Sequence, residues 1–251
     1  MAEQGANEEL LWGIHPVLEL LRLQPRKVRE IMVQQHKGGR KLQEIIDLAQ
    51  QQGIKVRFLP AQRFPGTAQQ NHQGVMARVA PVATTSLDDL LSDLRQEEHP
   101  IVVALDLIQD PHNLGAIIRS AAAAGACGVI MTKDRSAPLN ATAAKAAAGA
   151  MAHVKLCLVT NLAAALETLK EKGFWVYGAA GEARQSLYRT RFSGPVCLVV
   201  GGEGKGIRPL IREHCDVIVS IPMAGTLNSL NASVAAGIIL FEMVRQRRSG
   251  L

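Results

Sequence analysis

A glycine-rich loop at residues 201–206 is the first place in the sequence where chemistry could occur. It has the sequence Gly-Gly-Glu-Gly-Lys-Gly after the apolar run 196–200, so its backbone could approach a ligand closely. A nucleotide phosphate loop is excluded, because Val199 and Gly206 stand where a Walker A motif requires glycine and a hydroxyl side chain. The glycine spacing also disfavours a Rossmann-type dehydrogenase. Glu203 would repel phosphate, whereas it could accept hydrogen bonds from a hydroxyl, a base or a cationic ligand.

A second loop with polar side chains follows the apolar run 101–105. Asn113 would either cap the helix that it opens or contact a ligand. Arg119 falls six residues later among Ala and Ile side chains, where a guanidinium needs an anionic partner. A substrate phosphate and an internal Asp or Glu are the two candidates for that partner.

A third loop, residues 221–231, leads into the C-terminal helix. Ser229, Asn231 and Ser233 bring two hydroxyls and an amide to the start of that helix, where unpaired N–H groups can also hold a ligand. Capping explains one of these residues but not all three. Ligands of open parallel sheets bind where loops leave the carboxyl ends of strands, so we expect the three loops to form one site.

The other reactive residue types argue against alternative chemistry. The seven His and four Cys residues have no metal-ligand spacing and no nucleophile elbow is present, which disfavours zinc, triad hydrolysis and any need for a metal. Group transfer that depends on orientation suits Asn, Arg, Glu and Ser better. The cysteines are predicted to be small buried side chains in a reducing compartment.

Apolar patterning predicts an α/β fold with a mostly parallel sheet after residue 100. Six apolar runs alternate with Ala-rich helical stretches, and such runs are typical of strands buried on both faces. The predicted strands are 101–105, 128–131, 154–159, 174–177, 196–200 and 217–221. The predicted helices are 114–124, 141–150, 162–171, 207–213 and 229–246.

A smaller module of alternating helices and strands is predicted before residue 80. Its predicted helices are 13–22 and 41–52, and its predicted strands are 28–33, 54–59 and 74–79. Gly53 would end the second helix. The acidic stretch 81–100 separates the two parts, and Ser86 would cap a helix over 87–94 that belongs to the linker or to the opening of the second domain.

Charge is unevenly distributed along the 251 residues. Lys and Arg exceed Asp and Glu by 11 to 7 in residues 1–80 and by 16 to 10 in residues 101–251, whereas residues 81–100 have 1 against 5. The formal net charge of +6 fits either a polyanionic partner such as nucleic acid or a solvated basic surface. The N-terminus is acidic, unlike a signal peptide, and no apolar run approaches the ~18 residues of a membrane span. We therefore expect a soluble cytoplasmic protein.

The three loops together resemble motifs 1, 2 and 3 of the SpoU (TrmH) branch of the SPOUT RNA methyltransferases. The matching segments are 113–119, 198–206 and 221–235, and the resemblance covers residues 101–248. Residues 13–17 and 72–79 resemble the small RNA-binding domain, similar to ribosomal protein L30e, of the large-subunit rRNA guanosine 2′-O-methyltransferases. Residues 133–142 also resemble that subgroup.

The resemblance implies an enzyme that transfers a methyl group from S-adenosylmethionine (S-adenosyl-L-methionine) to a ribose 2′-oxygen of ribosomal RNA. It implies an α/β methyltransferase domain with a parallel sheet and a deep trefoil knot, preceded by the L30e-like α/β RNA-binding domain. The implied boundaries are 1–80 for the L30e-like domain, 81–99 for the linker and 100–251 for the methyltransferase domain. It also implies a homodimer packed through the C-terminal domain.

The resemblance assigns a role to twelve residues. The catalytic positions would be Asn113, Arg119, Glu203, Ser229 and Asn231. The cofactor contacts would be Gly201, Ile221, Met223 and Leu230. The RNA contacts would be His72, Gln73 and Arg135. The family's proposals make the motif 1 arginine a base, but a guanidinium is almost never neutral, so we expect Arg119 to hold a phosphate and to stabilise the developing alkoxide.

Other functions remain open on the sequence. A tRNA ribose methyltransferase of the same branch is one, although such enzymes typically lack the L30e-like domain. A thiostrepton-resistance-type rRNA methyltransferase shares that domain and is not separated by the motifs. From another class, the chain could be an RNA-binding module without catalysis, which binding of S-adenosylmethionine would distinguish.

Overall fold

Two compact units, Met1–Val82 and Ala83–Leu251, make up the chain. The computed structural model describes residues 9–23, 25–64, 72–80, 82–94, 98–226 and 229–249. Among these residues, no helix combines the length and the apolar character needed to cross a lipid bilayer.

The first unit packs two helices on one face of a four-stranded sheet. Its strands are Glu9–Trp12 (β1), Val28–Gln34 (β2), Lys55–Leu59 (β3) and Val75–Val79 (β4). Its helices are Ile14–Leu23 (α1) and Arg40–Gln51 (α2). The strand order is β1-β4-β2-β3, in which β4 is antiparallel to both neighbours and β2 is parallel to β3. Leu21, Ile31, Ile45 and Ala77 lie in the core between the helices and the sheet.

The elements predicted for the first unit are confirmed, with two differences. Strand β1 was not predicted, and it pairs with β4 at the edge of the sheet. Strand β3 is largely exposed, because it forms the opposite edge. Gly53 follows α2 with a φ of +67°, in the left-handed region that favours glycine at a helix end.

The second unit is built on a seven-stranded parallel sheet, in which six strands confirm the predicted apolar runs and the two-residue strand Gln185–Ser186 was not predicted. Its strands are Ile101–Asp106 (β5), Gly128–Thr132 (β6), Lys155–Val159 (β7), Trp175–Ala179 (β8), Gln185–Ser186 (β9), Val196–Gly201 (β10) and Val217–Ser220 (β11). Its helices are Leu87–Leu94 (α3), Pro111–Ala123 (α4), Ala141–Ala146 (α5), Leu162–Glu171 (α6), Pro209–Glu213 (α7) and Ala232–Arg248 (α8). The strand order is β7-β6-β5-β10-β8-β11-β9, and all pairs are parallel. The trefoil knot stays a prediction from the resemblance.

Helix α3 lies inside the range predicted as a linker, yet it belongs to the second unit. Its leucines Leu90, Leu91 and Leu94 are buried in the core beside β7 and α6. The Ser86 hydroxyl accepts a hydrogen bond from the Asp89 N–H at 3.1 Å, so the predicted cap is confirmed. Of the two places predicted for this helix, the linker and the opening of the second domain, its packing agrees with the second, because Asp88, Asp89 and Asp93 form the exposed face of a helix whose inner face is apolar.

The thiols are buried, as expected for cysteines that serve as small core residues. Cys157 and Cys197 are fully buried, whereas Cys127 and Cys215 are partly buried. Burial raises the pKa of Cys157 to about 11 and that of Cys215 to about 12, and it also raises the pKa of Cys197. These three thiols are therefore protonated at neutral pH, which makes them poor nucleophiles.

Asp106 connects the end of β5 to the glycine-rich loop. Its carboxylate is fully buried and accepts hydrogen bonds from Arg208 N, Nε and Nη2 at 2.8, 2.8 and 2.6 Å. Its carbonyl oxygen accepts a hydrogen bond from Gly202 N at 2.9 Å. One residue therefore holds both ends of the loop.

The same loop requires glycine because backbone segments approach it from two sides. A Cβ at Gly202 would lie 2.3 Å from the Leu107 carbonyl oxygen. A Cβ at Gly201 would lie 2.1 Å from the carbonyl carbon of Gly206. The glycines therefore allow other backbone segments of the same chain to pack closely against the loop, in addition to any contact of the loop with a ligand.

We expect Arg208→Ala to lower the free energy of unfolding of the second unit by about 3 kcal/mol, because it leaves the buried Asp106 carboxylate without a counter-charge. Chemical denaturation measures this change. Lys155→Ala is the matched control, because it removes an exposed pair with Asp93 and should cost below about 1 kcal/mol. Equal losses in the two variants would contradict the role given to the buried pair.

Candidate active site

A cleft of about 1050 Å³ lies in the second unit at the carboxyl ends of β10, β8 and β11. Its walls come from the turns that follow these strands and from the start of α8. The lining segments are 179–182, 200–207, 219–223 and 229–232, together with Arg212, Gly225, Ala235 and Ile239. Parallel strands bring their carboxyl ends to one edge of the sheet, which explains why the second and third predicted loops meet here.

Most of the predicted site residues of the second unit line this cleft. All four predicted cofactor residues do so, namely Gly201, Ile221, Met223 and Leu230. Three of the five predicted catalytic residues also do so, namely Glu203, Ser229 and Asn231. The two others, Asn113 and Arg119, lie on α4, outside the set of lining residues.

Three predicted residues from three different loops form one hydrogen-bonded cluster at the cleft. Asn113 donates a hydrogen bond through Nδ2 to Glu203 Oε1. Asn231 Nδ2 lies 2.9 Å from Asn113 Oδ1 and 3.4 Å from Glu203 Oε1, so it donates to both. We call Asn113, Glu203 and Asn231 the amide–carboxylate cluster. It joins α4, the glycine-rich loop and the start of α8, which confirms that the three loops converge.

Capping of α8 fixes the orientation of Asn231. Its Oδ1 accepts hydrogen bonds from the N–H groups of Ser233 and Val234 at 2.8 and 3.3 Å, and from the Ser233 hydroxyl at 2.6 Å. The amide nitrogen must then point away from the helix, towards Asn113 and Glu203. Helix capping thus accounts for Asn231 and Ser233, and it leaves Ser229 as an exposed hydroxyl in the cleft wall.

Of the two roles considered for Asn113, helix capping is wrong. Asp110 caps α4, because its carboxylate accepts a hydrogen bond from His112 N at 3.0 Å and Pro111 occupies the first turn. Asn113 instead lies within the first turn of α4 and is buried. Its side chain does not cap α4 and instead forms hydrogen bonds within the amide–carboxylate cluster.

Arg119 is exposed on α4, and the structure does not bring it into the cluster. Within the described part of the chain it forms no ion pair with Asp or Glu, so the internal partner considered from the sequence is not found. Because this guanidinium is exposed to solvent, it is available to an anionic ligand.

The three predicted RNA contacts have different surroundings. His72 Nδ1 accepts a hydrogen bond from Gly74 N at 3.1 Å, and Gln73 Oε1 accepts one from Ile14 N, also at 3.1 Å. These two side chains therefore close a turn and satisfy the start of α1 in the first unit. Arg135 is exposed in the turn after β6 in the second unit, with a φ of +59°.

The sequence analysis missed a second acidic residue in the cleft wall. Glu182 lies in the turn after β8 and pairs with Arg212, and that hydrogen bond lowers the pKa of the Glu182 carboxyl. Gly181, four residues after the predicted strand 174–177, was the available signal for a ligand-binding turn. Asp106 was also missed, although a charged residue at the end of a wholly apolar strand marks a buried polar contact.

The chemistry available in the cleft is that of a binding and positioning site. Its walls combine apolar side chains with backbone groups at strand ends and with the carboxylates of Glu203 and Glu182. Among the described residues, no group of three or more His, Cys, Asp or Glu could hold a metal ion. The cluster can orient an acceptor group and place negative charge beside a cationic ligand.

Comparison with known proteins gives the same picture for both units. Residues 100–241 match the SpoU rRNA Methylase family, and residues 10–85 match the RNA 2′-O ribose methyltransferase substrate binding family. The 23S rRNA (guanosine-2′-O-)-methyltransferase RlmB of Photorhabdus laumondii is 46% identical over 96% of this chain and 99% of its own length. The protein of the same name from Escherichia coli K12 is 45% identical over 95% of this chain and 99% of its own length.

Solved structures support the relationship. The SpoU methyltransferase AviRb from Streptomyces viridochromogenes, in complex with AdoMet, is 25% identical and has a TM-score of 0.66, covering 98% of this chain and 92% of its own. The A. aeolicus TrmH/SpoU tRNA modifying enzyme is 31% identical with a TM-score of 0.55, covering 65% of this chain and 85% of its own. The family match spans more than half of this chain, and relatives about 45% identical match nearly all of it. The chain therefore belongs to the SpoU rRNA methylase family.

Proposed function

We propose that this chain transfers a methyl group from S-adenosylmethionine to the 2′-oxygen of a guanosine ribose in large-subunit rRNA. The observation that carries the proposal is the amide–carboxylate cluster, which stands beside a cleft lined by all four predicted cofactor residues. The rRNA enzymes are the relatives that match nearly the whole chain, whereas the tRNA modifying enzyme covers only 65% of it. An enzyme with this substrate would work in the bacterial cytoplasm.

The residues of the cleft fit S-adenosylmethionine. Val200, Ile221 and Leu230 provide apolar walls for a flat base. Two carboxylates, Glu182 and Glu203, line the cleft together with two cations, Lys205 and Arg212, and Arg212 is already paired with Glu182. The lining is therefore not the surplus of cations that a phosphate ligand needs, and Glu203 can meet a positively charged sulfur or an ammonium group. The volume of about 1050 Å³ accommodates a nucleoside joined to an amino acid.

Bound S-adenosylmethionine supplies an activated methyl group on a sulfonium sulfur. The residues of the chain would then align the ribose with that sulfur and exclude water. Glu203 is fixed by the amides of Asn113 and Asn231, so its carboxylate can accept a hydrogen bond from the 2′-hydroxyl and orient its oxygen. Arg119 would hold a neighbouring phosphate and stabilise the developing alkoxide, with the proton passing to water or phosphate.

The two units would divide the work. We assign substrate binding to residues 1–80 and methyl transfer to residues 100–251, in keeping with the two family matches. Arg135, exposed in the turn after β6, would contact RNA on the catalytic unit. His72 and Gln73 would support the RNA-binding unit through the turn and helix contacts that they make.

We also propose that the enzyme is a homodimer packed through α8. Val234 and Phe241 lie two turns apart on this helix and are 49% and 50% exposed. We call Val234 and Phe241 the apolar stripe of α8. Its exposure to water is unfavourable, because full burial of a large apolar side chain stabilises a protein by about 1.5–3 kcal/mol. The other face of α8 already packs on α4 and β10, so a second copy would cover the stripe.

Mapping of 2′-O-methyl groups tests the proposed function. We expect rRNA from cells without this gene to lack one guanosine methyl group in the large subunit, and we expect purified enzyme with S-adenosylmethionine to restore it. Calorimetry should show that the chain binds S-adenosylmethionine. An unchanged methylation map would remove the rRNA assignment.

Asn113→Ala should lower kcat by about 10²-fold, the usual effect of removing one preorganised hydrogen-bond donor. The affinity for S-adenosylmethionine should change little, because Asn113 does not line the cleft. Asn161→Ala is the control, since it removes a hydrogen-bonding asparagine of the same unit that caps α6 and does not line the cleft. A kcat that falls equally in the control would mean that the effect is general destabilisation.

Phe241→Glu should convert the dimer into monomers, because it places a charge in the apolar stripe of α8. Sedimentation equilibrium measures the mass, and Glu171→Gln on the exposed end of α6 is the control. A wild-type chain that sediments as a monomer, or a variant that stays dimeric, would contradict this interface.

A further inference from the structure

One face of the sheet in the first unit is covered by α1 and α2, and the other carries a row of charged side chains. Successive side chains of a strand point to opposite faces, so Ile31 and Val33 face the helices whereas Glu30 and Met32 face the other side. Lys55 of β3 and Arg78 of β4 are the direct neighbours of Glu30 on the adjacent strands. The charged row therefore crosses three strands.

Glu30 is the centre of this row. Its side chain is only 8% exposed, and its carboxylate lies 3.9 Å from Lys55 Nζ, 3.6 Å from Arg57 Nε and 3.7 Å from Arg78 Nη1. We call Lys55, Arg57 and Arg78, gathered around Glu30, the basic sheet face. A buried carboxylate is unfavourable without a counter-charge, which explains why cations surround Glu30.

The number of cations exceeds what a buried carboxylate needs. One cation would neutralise Glu30, yet three side chains from two strands approach it. Lys55 and Arg57 remain 72% and 48% exposed, so their charged ends reach solvent while their approach to Glu30 restrains them. The face therefore presents a surplus of positive charge in a fixed arrangement, which suits a polyanion.

Aromatic groups lie next to the charged row. The neighbouring row on the same face contains Met32 and Met76, with partly buried Trp12 at its end. Phe64 packs on these side chains, and its ring centroid lies 4.9 Å from that of His72. Phe64 is buried, so of Phe64 and Trp12 only the partly buried Trp12 could stack on an unpaired base of an RNA whose phosphates meet the cations.

We propose that the basic sheet face is the surface on which the first unit holds the phosphate backbone of the RNA substrate, with Glu30 as the residue that positions its cations. The inference rests on the proposed function and deepens it. The polar atoms of His72 and Gln73 already make internal hydrogen bonds, so the RNA contact shifts from them to the sheet. Residues 1–80 carry four more Lys and Arg residues than Asp and Glu residues, and this positive charge favours RNA over a basic partner.

Removal of two cations from the basic sheet face tests the proposal. In the full-length chain, Lys55→Gln combined with Arg57→Gln should weaken binding of an in vitro transcript of large-subunit rRNA by about tenfold, measured by fluorescence anisotropy. The slope of log K against log salt should become shallower by about 1.4–1.8, the contribution of two phosphate contacts. Binding of S-adenosylmethionine, measured by calorimetry, should be unchanged.

The matched control removes the same charge from the helical side of the first unit. Arg40→Gln combined with Lys41→Gln changes two exposed residues at the start of α2. We expect this variant to keep the wild-type salt slope and affinity. Equal behaviour of the two double variants would overturn the proposal, because net charge alone would then explain binding.

A third variant separates RNA binding from folding stability. Glu30→Gln leaves the three cations without the carboxylate that positions them, so it should weaken binding of the transcript, although net charge alone would tighten it, while it lowers the melting temperature. A cluster that serves only the fold would lower the melting temperature and leave RNA affinity unchanged, which would also overturn the proposal. If this variant does not fold, the RNA affinities and salt slopes of the two double variants still test the proposal.

The outcomes also distinguish this surface from the proposed function. A wild-type chain that binds the transcript through Lys55 and Arg57 but methylates nothing would contradict the function and keep the surface. A chain that methylates rRNA while the Lys55→Gln, Arg57→Gln variant binds normally would contradict the surface alone. A wild-type chain that binds no RNA would contradict both.

Discussion

The buried carboxylate of Asp106 is the contact on which the rest of the candidate site depends. A charge without exposure to water is stable only with complete hydrogen bonding, and here Arg208 donates three hydrogen bonds to it. Because the Asp106 carbonyl also holds Gly202, the glycine-rich loop is tied at both ends to β5. The position of Glu203 then follows from the position of β5, which also determines where α4 and Asn113 begin. The amide–carboxylate cluster is thus a consequence of how one strand end is held.

The helices and strands were predicted correctly where burial of an element requires a regular pattern of apolar residues in the sequence. Central strands such as β5 and β10 are buried on both faces, so their apolar runs were sufficient. The four residues of β1 have no such pattern, and their strand character depends on pairing with β4, more than 60 residues away. Helix α3 was recognised from its cap and leucines, but its place in the second unit depends on β7 and α6, which local sequence cannot show.

The site was predictable in its loops and less so in its individual contacts. Asp110 followed by Pro111 is a strong start signal for a helix, and it would have freed Asn113 from the capping role that the sequence suggested. The pairing of Asp106 with Arg208 joins residues 102 positions apart, and no local rule reaches that far. Arg119 differs from the sequence expectation for another reason, because its side chain is exposed on α4 and is not enclosed by the Ala and Ile residues beside it in the sequence.

Strand order gives the two reactants of the proposed function separate directions of approach. The cleft lies over β10, β8 and β11, whereas α4 leaves β5 on the neighbouring side of the same edge. The amide–carboxylate cluster stands at the boundary, since Glu203 follows β10 and Asn113 follows β5. Under the proposed function, a ribose that meets the methyl group there would come from the side of β5 and β6, where Arg135 lies on an exposed turn. The order of the strands would therefore bring donor and acceptor to the amide–carboxylate cluster from two different sides.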